Sequence, residues 1–171
     1  MKKTLEVINE LKEKELIKDY AIGGAIATLR WTEPFFTRDL DIFVILFTEP
    51  NEKNLIILTP IYEYLKKKGY TNWDGHKIII EGIPVDIFTA DELEKKAIEN
   101  AIETKYQGAK TKIMTPEYLI ALFLRAGRDK DIRKIQMLLT QTKVDKTKLM
   151  RILNEFGLKK KFEEFRKKYE K

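Results

Sequence analysis

Three aspartates, Asp39, Asp41 and Asp86, lie inside apolar segments where a lone ionised carboxylate is costly. Thr37-Arg38-Asp39-Leu40-Asp41-Ile42-Phe43-Val44 reads as a strand that is apolar beyond Asp41. Residues two apart on a strand share a face, so Asp39 and Asp41 stand side by side. Adjacent carboxylates repel each other and lose hydration there, and they need a cation or a proton to be tolerable. Oxygen donors with no Cys or His nearby favour a hard ion, so Mg²⁺ or Mn²⁺ is the expected cofactor. Asp86 lies in a second apolar strand, Ile83-Pro84-Val85-Asp86-Ile87-Phe88. If the two strands are neighbours, three carboxylates meet on one patch. That is enough to hold two ions roughly 3.5–4 Å apart, an arrangement suited to in-line displacement at phosphorus.

Gly23-Gly24 precedes the Asp-x-Asp strand, between the short strand Tyr20-Ala21-Ile22 and a short helix. Without Cβ atoms, its N–H groups can approach a phosphate closely, with the helix N-terminus favouring the negative charge. A tight turn is the other reading of such a pair. The chain has no cysteine, which excludes a disulfide scaffold, a thiolate metal site and a cysteine nucleophile. Its one histidine, His76, excludes multi-histidine metal centres and reads as a turn or edge residue beside Gly75. Any chemistry therefore falls to carboxylates and cations.

The elements that must position these residues follow from periodicity. Residues 3–17 predict an amphipathic helix, with Leu5, Ile8, Leu11 and Leu16 near the helical period. After the glycines, residues 24–31 predict a helix, 39–47 a buried strand, and 59–68 a helix that stops at Gly69. Residues 77–81 and 83–88 predict two strands joined around Gly82. Thr89-Ala90-Asp91-Glu92 has the spacing of a capping box and opens a helix to about Asn100. Thr115-Pro116-Glu117 starts another, and helices are expected over 116–126, 129–141, 146–156 and 159–169.

The chain has 171 residues, 43% hydrophobic and 35% charged, the composition of a globular domain with a sizeable core. Residues 1–115 carry 17 Lys and Arg against 19 Asp and Glu, whereas residues 116–171 carry 16 against 8. An acidic chemical half beside a basic half suggests a polyanion as partner, and a solvated set of helix faces is the plainer alternative. Lys159-Lys160-Lys161 and Arg166-Lys167-Lys168 are the basic runs that would meet an RNA backbone. Trp31, Trp73, Tyr62, Tyr64 and Tyr70 are aromatic candidates for stacking a base, with core packing as the alternative. No stretch approaches the roughly 20 apolar residues that span a bilayer, and the N-terminus lacks a signal peptide's apolar run. No membrane partner and a cytoplasmic location are expected.

Gly23-Gly24, a short helix, and then Arg38-Asp39-Leu40-Asp41 resemble the DNA polymerase β-like nucleotidyltransferase superfamily, with Asp86 in the place of its later third carboxylate. The finer pattern is similar to small nucleotidyltransferases that include toxin components of toxin–antitoxin and abortive-infection pairs. In those relatives a later helical segment holds an Arg/Lys-Asp run, matched here by Arg125-Ala126-Gly127-Arg128-Asp129-Lys130-Asp131. The resemblance covers about residues 18–140 and is most specific over Gly23 to Val44. Two departures stand out: 14 residues lie between Gly24 and Asp39, with Glu33-Pro34-Phe35-Phe36 as an added loop, and Ala25 replaces a small hydroxyl residue.

What the resemblance implies is an α/β (α+β) fold, with a small mixed β-sheet of four or five strands among helices and a C-terminal helical bundle. The boundaries implied are a nucleotidyltransferase catalytic core over 1–115 and a helical region over 116–171. The implied activity is a metal-dependent transfer of a nucleoside monophosphate from an NTP to an acceptor hydroxyl, releasing pyrophosphate. The acceptor would be tRNA or another RNA, a protein or a small molecule, and an antitoxin-like protein is an implied partner. Asp39, Asp41 and Asp86 would be the catalytic and metal-binding residues, with Asp86 also orienting or deprotonating the acceptor. Gly23, Gly24, Thr37, Arg38 and Lys130 would bind the nucleotide, with Arg125 and Arg128 as further candidates for the triphosphate or acceptor. Arg38 would either reach a phosphate or pair with a carboxylate such as Asp86. The alternative is a non-catalytic nucleotide- or partner-binding module on the same fold.

Overall fold

Strict alternation along Leu40-Asp41-Ile42-Phe43-Val44 organises the sheet: Leu40, Ile42 and Val44 are fully buried, and the residues between them face the other way. The computed structural model describes residues 1–47 and 58–169. Its N-terminal part runs α1 (Lys2–Glu13), β1 (Asp19–Ile22), α2 (Gly24–Thr28), β2 (Leu40–Ile45), α3 (Thr59–Lys67), β3 (Trp73–Asp74), β4 (Lys77–Ile80) and β5 (Ile83–Thr89). Then come α4 (Glu92–Glu99), β6 (Ile102–Tyr106), β7 (Ala109–Ile113), α5 (Pro116–Ala126), α6 (Asp129–Gln141), α7 (Lys146–Glu155) and α8 (Lys159–Tyr169). Residues 170 and 171 of the helical region lie outside the described residues. Among the described residues no helix is long and apolar enough to cross a membrane.

The fold is mixed α/β. The sheet has seven strands among the described residues, in the order β3-β4-β5-β2-β1-β7-β6, where four or five were expected. β2 runs parallel to β5 and β1 parallel to β7, while the other neighbours are antiparallel. The strands absent from the sequence reading are β3, β6 and β7. β6 and β7 form a hairpin through Gln107 and Gly108, both with positive φ, 48° and 89°. Their central residues alternate Thr with charged residues, and the large apolar residues Ile102, Tyr106 and Ile113 stand only at strand ends, so the period-two signal is weak. Ala109 and Thr111 still supply a buried face for α1, where Asn9 Nδ2 donates to the Lys110 carbonyl at 2.9 Å.

The capping box lies two residues later than expected. Asp91, not Thr89, caps α4: its Oδ1 accepts from Leu93 N at 3.0 Å, and Glu94 Oε2 accepts from Asp91 N at 2.9 Å. Thr89 instead ends β5, because its strand pairs with Val44 of β2. The helical half does not stand apart from the sheet. α5 is buried from Pro116 to Leu124, packs against α2, α4, α6, α7 and α8, and contributes to the same apolar core as α1 and the strands.

Arg125, at the end of α5, clamps α4 to that core. Its Nη1 reaches Asp91 Oδ2 at 2.7 Å and its Nη2 meets Glu94 Oε1. Burial, and then the hydrogen bond shared with Asp91, pushes the Glu94 carboxyl up to about 7. A carboxylate with a raised folded pKa weakens the fold as pH rises toward that value, and Arg125 offsets this once Glu94 ionises. Arg125→Met is therefore expected to cost about 1–3 kcal/mol near pH 8 and somewhat less near pH 5, where only its pair with Asp91, held down to about 2, stays ionised. Urea unfolding at the two pH values checks it; an equal cost at both excludes the Glu94 arm of the clamp.

Candidate active site

The parallel register of β2 and β5 sets Asp41 opposite Asp86 and Phe43 opposite Phe88. Neighbouring strands lie roughly 4.8 Å apart, so both pairs share one patch of the sheet. Asp39 immediately precedes β2 and completes the carboxylate set. All of these side chains line one cleft of about 890 Å³, whose opposite wall comes from α5 and α6.

The carboxylates differ in their surroundings. Asp86 is buried, and its Oδ2 lies 2.7 Å from His76 Nε2. Asp39 meets the ammonium of Lys77, a contact that holds the Lys77 pKa up. Asp41 has no side-chain hydrogen bond or ion pair among the described residues, and its carboxyl is pushed up, first by burial and then by the charge of Asp86. Lys77 and Arg128 act on it in the opposite direction.

The glycine pair is bound up with those side chains. Gly24 has φ +57°, and a Cβ there would lie 1.7 Å from Asp41 Oδ2. A Cβ on Gly23 would lie 2.4 Å from Phe43 Cε2, and Gly23 N donates to the Asp41 carbonyl at 3.0 Å. Gly24 lines the cleft and Gly23 stands behind it. Glycine here makes room for the Asp41 carboxylate, a role distinct from the phosphate contact expected of the pair.

Thr37 and Lys130 line the cleft. Arg38 is exposed and lies outside the lining, and the partner of Asp86 is His76. On α6, Asp131 is fully buried and accepts from Arg128 Nε at 2.6 Å and Lys134 Nζ at 2.7 Å, presenting both cations to the cleft. Lys130 and Arg133 line the same wall and have no ion-pair partner among the described residues. The loop over Glu33-Pro34-Phe35-Phe36 is pinned to α6, since Glu33 N donates to Gln141 Oε1 at 2.9 Å.

Sequence reasoning missed His76 and Lys77 at the carboxylates. The Asp74-Gly75 step signals their hairpin turn, but nothing local says which strand that hairpin joins. The aromatic candidates were also elsewhere. Trp31 Nε1 donates to the Met114 carbonyl, Tyr62 packs on Trp73 at 5.2 Å, and the Tyr64 and Tyr70 hydroxyls donate to Glu10 and Glu81. The rings that line the cleft are phenylalanines, Phe35, Phe36, Phe43, Phe88 and Phe123.

Among the described residues no group of three or more His, Cys, Asp or Glu forms a ready ion cage. The Lys77 ammonium sits on Asp39, and the His76 ring hydrogen-bonds to Asp86. The donor set still fits a hard divalent ion: it is all carboxylate oxygen, and the burial and mutual repulsion at Asp41 are what such an ion relieves. Asp39, Asp41 and Asp86 are the residues that would hold it.

Several solved structures are similar to the chain. An antigenic nucleotidyltransferase-like protein from Paracoccidioides brasiliensis is similar over 97% of this chain and 91% of that one, at 18% identity and a TM-score of 0.52. At that identity the likeness is one of fold. The antibiotic-resistance factor ANT(2'')-Ia matches over 90% of this chain and 89% of its own, at 16% identity and a TM-score of 0.48. The lincosamide antibiotic adenylyltransferase LnuA, solved with lincomycin bound, matches over 83% and 98%, at 19% identity and a TM-score of 0.47. No curated protein matches the chain. A family model described as "Nucleotidyl transferase of unknown function (DUF2204)" matches residues 1–169. That match takes in every element from α1 to α8, and the chain belongs to this family of nucleotidyl transferases.

Proposed function

We propose that the protein is a metal-dependent nucleotidyltransferase that moves a nucleoside monophosphate from an NTP to an acceptor hydroxyl. The observation that carries this is the pairing of Asp41 with Asp86 across β2 and β5, with Asp39 beside them, in a cleft walled by cations. The acceptor oxygen bonds to the α-phosphorus, the bond from that phosphorus to the bridging oxygen breaks, and pyrophosphate leaves. Asp86 accepts the hydroxyl proton, and His76 Nε2, 2.7 Å away, is placed to take it on. Lys130 and Arg133 attract the triphosphate, and Arg128 and Lys134, held by Asp131, face the same charge. The chemistry that bound Mg²⁺ or Mn²⁺ supplies is a lower acceptor pKa and neutralisation of the leaving pyrophosphate.

A non-catalytic nucleotide- or partner-binding module is the second reading. It is favoured by Lys77, whose ammonium already meets Asp39 without any ion. Calorimetry of each NTP with and without Mg²⁺ or Mn²⁺, followed by a pyrophosphate-release assay with RNA, protein and small-molecule acceptors, separates the two. Metal-dependent binding with pyrophosphate release supports the enzyme; binding indifferent to metal and without release supports the module. An RNA acceptor such as tRNA is supported by the excess of Lys and Arg over residues 116–171. A toxin role with an antitoxin-like partner rests on the motif resemblance. Its test is growth arrest on expression that an Asp41→Asn variant relieves.

A further inference from the structure

Phe88 is 37% exposed on β5, paired with Phe43 of β2 on one side and lying beyond Val85, the last β5 residue paired with β4, on the other. An aromatic ring left open to water at such a position forgoes apolar burial unless something covers it. Its ring stacks on Phe43 with centroids 5.0 Å apart and planes 22° from parallel. The pair is held in place from behind, because the Phe43 ring fills the space that a side chain on Gly23 would need. Together they form a flat apolar ledge on the same sheet face as Asp41 and Asp86. The ledge stands two residues further along each strand, roughly 6.6 Å from the carboxylates. That is the order of span a ribose puts between a phosphate and its base. The facing wall carries Lys130 and Arg133, which have no ion-pair partner among the described residues. A ligand complementary to both walls is planar and apolar at one end and anionic at the other.

We infer that Phe88, backed by Phe43, is the stacking ledge for the base of the NTP and makes the site prefer purine over pyrimidine nucleotides. The inference rests on the nucleotidyl-transfer reading of the same cleft. Stacking strength grows with ring area and needs no base-specific hydrogen bond, so the preference is for ring size and not for one base.

The test is calorimetry on the full chain with Mg²⁺, using ATP, GTP, CTP, UTP and inorganic tripolyphosphate. Wild type is compared with Phe88→Ala and with Phe88→Leu, which keeps apolar bulk without a π face. The expected result is tighter binding of ATP and GTP than of CTP and UTP by the wild type. Each substitution should weaken purine NTPs at least about fivefold and narrow that gap, with tripolyphosphate binding unchanged. NTP binding by folded variants that is indifferent to Phe88 overturns the ledge alone. Failure of the wild type to bind either NTP or tripolyphosphate overturns both the ledge and the reading beneath it.

Discussion

Asp41→Asn is expected to lower kcat/KM for nucleotidyl transfer by about 10³-fold or more while leaving the protein folded and, without metal, more stable than the wild type. Catalytic loss follows from removing the one carboxylate of the three that has no side-chain hydrogen bond or ion pair among the described residues. The gain in stability follows from the same isolation. Burial and the nearby charge of Asp86 raise the Asp41 pKa in the folded state. The folded protein thus holds the Asp41 proton more tightly than the unfolded chain does. Stability is highest below the unfolded pKa and falls as pH rises from there toward the folded pKa. The substituted amide carries no charge to desolvate, so the variant escapes that loss at neutral pH and gains nothing at acid pH. Thermal melts in a chelating buffer across pH check the sign: the Tm difference should be positive near neutrality and shrink as pH falls. Added Mg²⁺ should raise the wild-type Tm and leave the variant's unmoved. A variant that is inactive because it is unfolded would contradict this account of Asp41.

Gly24→Ala is the second large effect. Gly24 has φ +57°, where a Cβ costs roughly 1–2 kcal/mol by backbone sterics alone. The added carbon would also lie 1.7 Å from Asp41 Oδ2, so the carboxylate or the strand must move. A displacement of about 1 Å at a reacting centre costs on the order of 100-fold in rate. Gly127→Ala is the control. Gly127 has φ +62°, and the nearest atom to its hypothetical Cβ is the Leu124 carbonyl oxygen at 4.0 Å. Both variants should lose similar backbone stability, but only Gly24→Ala should lose on the order of 100-fold or more in transfer. Equal activities at matched stability would show that Gly24 serves the backbone and not the carboxylate.

The helical half was legible almost residue by residue. α5, α6 and α8 span the expected ranges and α7 ends at Glu155, because caps, breakers and the helical period are local properties that each segment carries within itself. β6 and β7 were not legible. Their central residues alternate Thr with charged residues, β6 is largely exposed, and the burial of β7 under α1 comes from a helix far away in the chain. The capping box was displaced for a related reason: two overlapping Asp/Thr-to-Glu spacings were available, and pairing of Thr89 with Val44 removed one of them.

At the site, the same division holds. The residue types and spacing by themselves determined that Asp39 and Asp41 share a face, that Asp86 needs a partner, and that glycines precede the strand. These follow from strand pleat and the cost of burying charge, which act within a few residues. Only the tertiary structure decided that Asp86 answers His76 and Asp39 answers Lys77. It also decided that Arg125 locks Glu94 instead of standing free, and that Phe43 and Phe88 stack beside the carboxylates while the tryptophans and the candidate tyrosines lie outside the cleft lining. Each of those pairings joins segments whose local patterns are the same whether or not they meet. What brings them together is the register of β4, β5 and β2 and the burial of α5, free energies that belong to the assembled core and to no single stretch of chain.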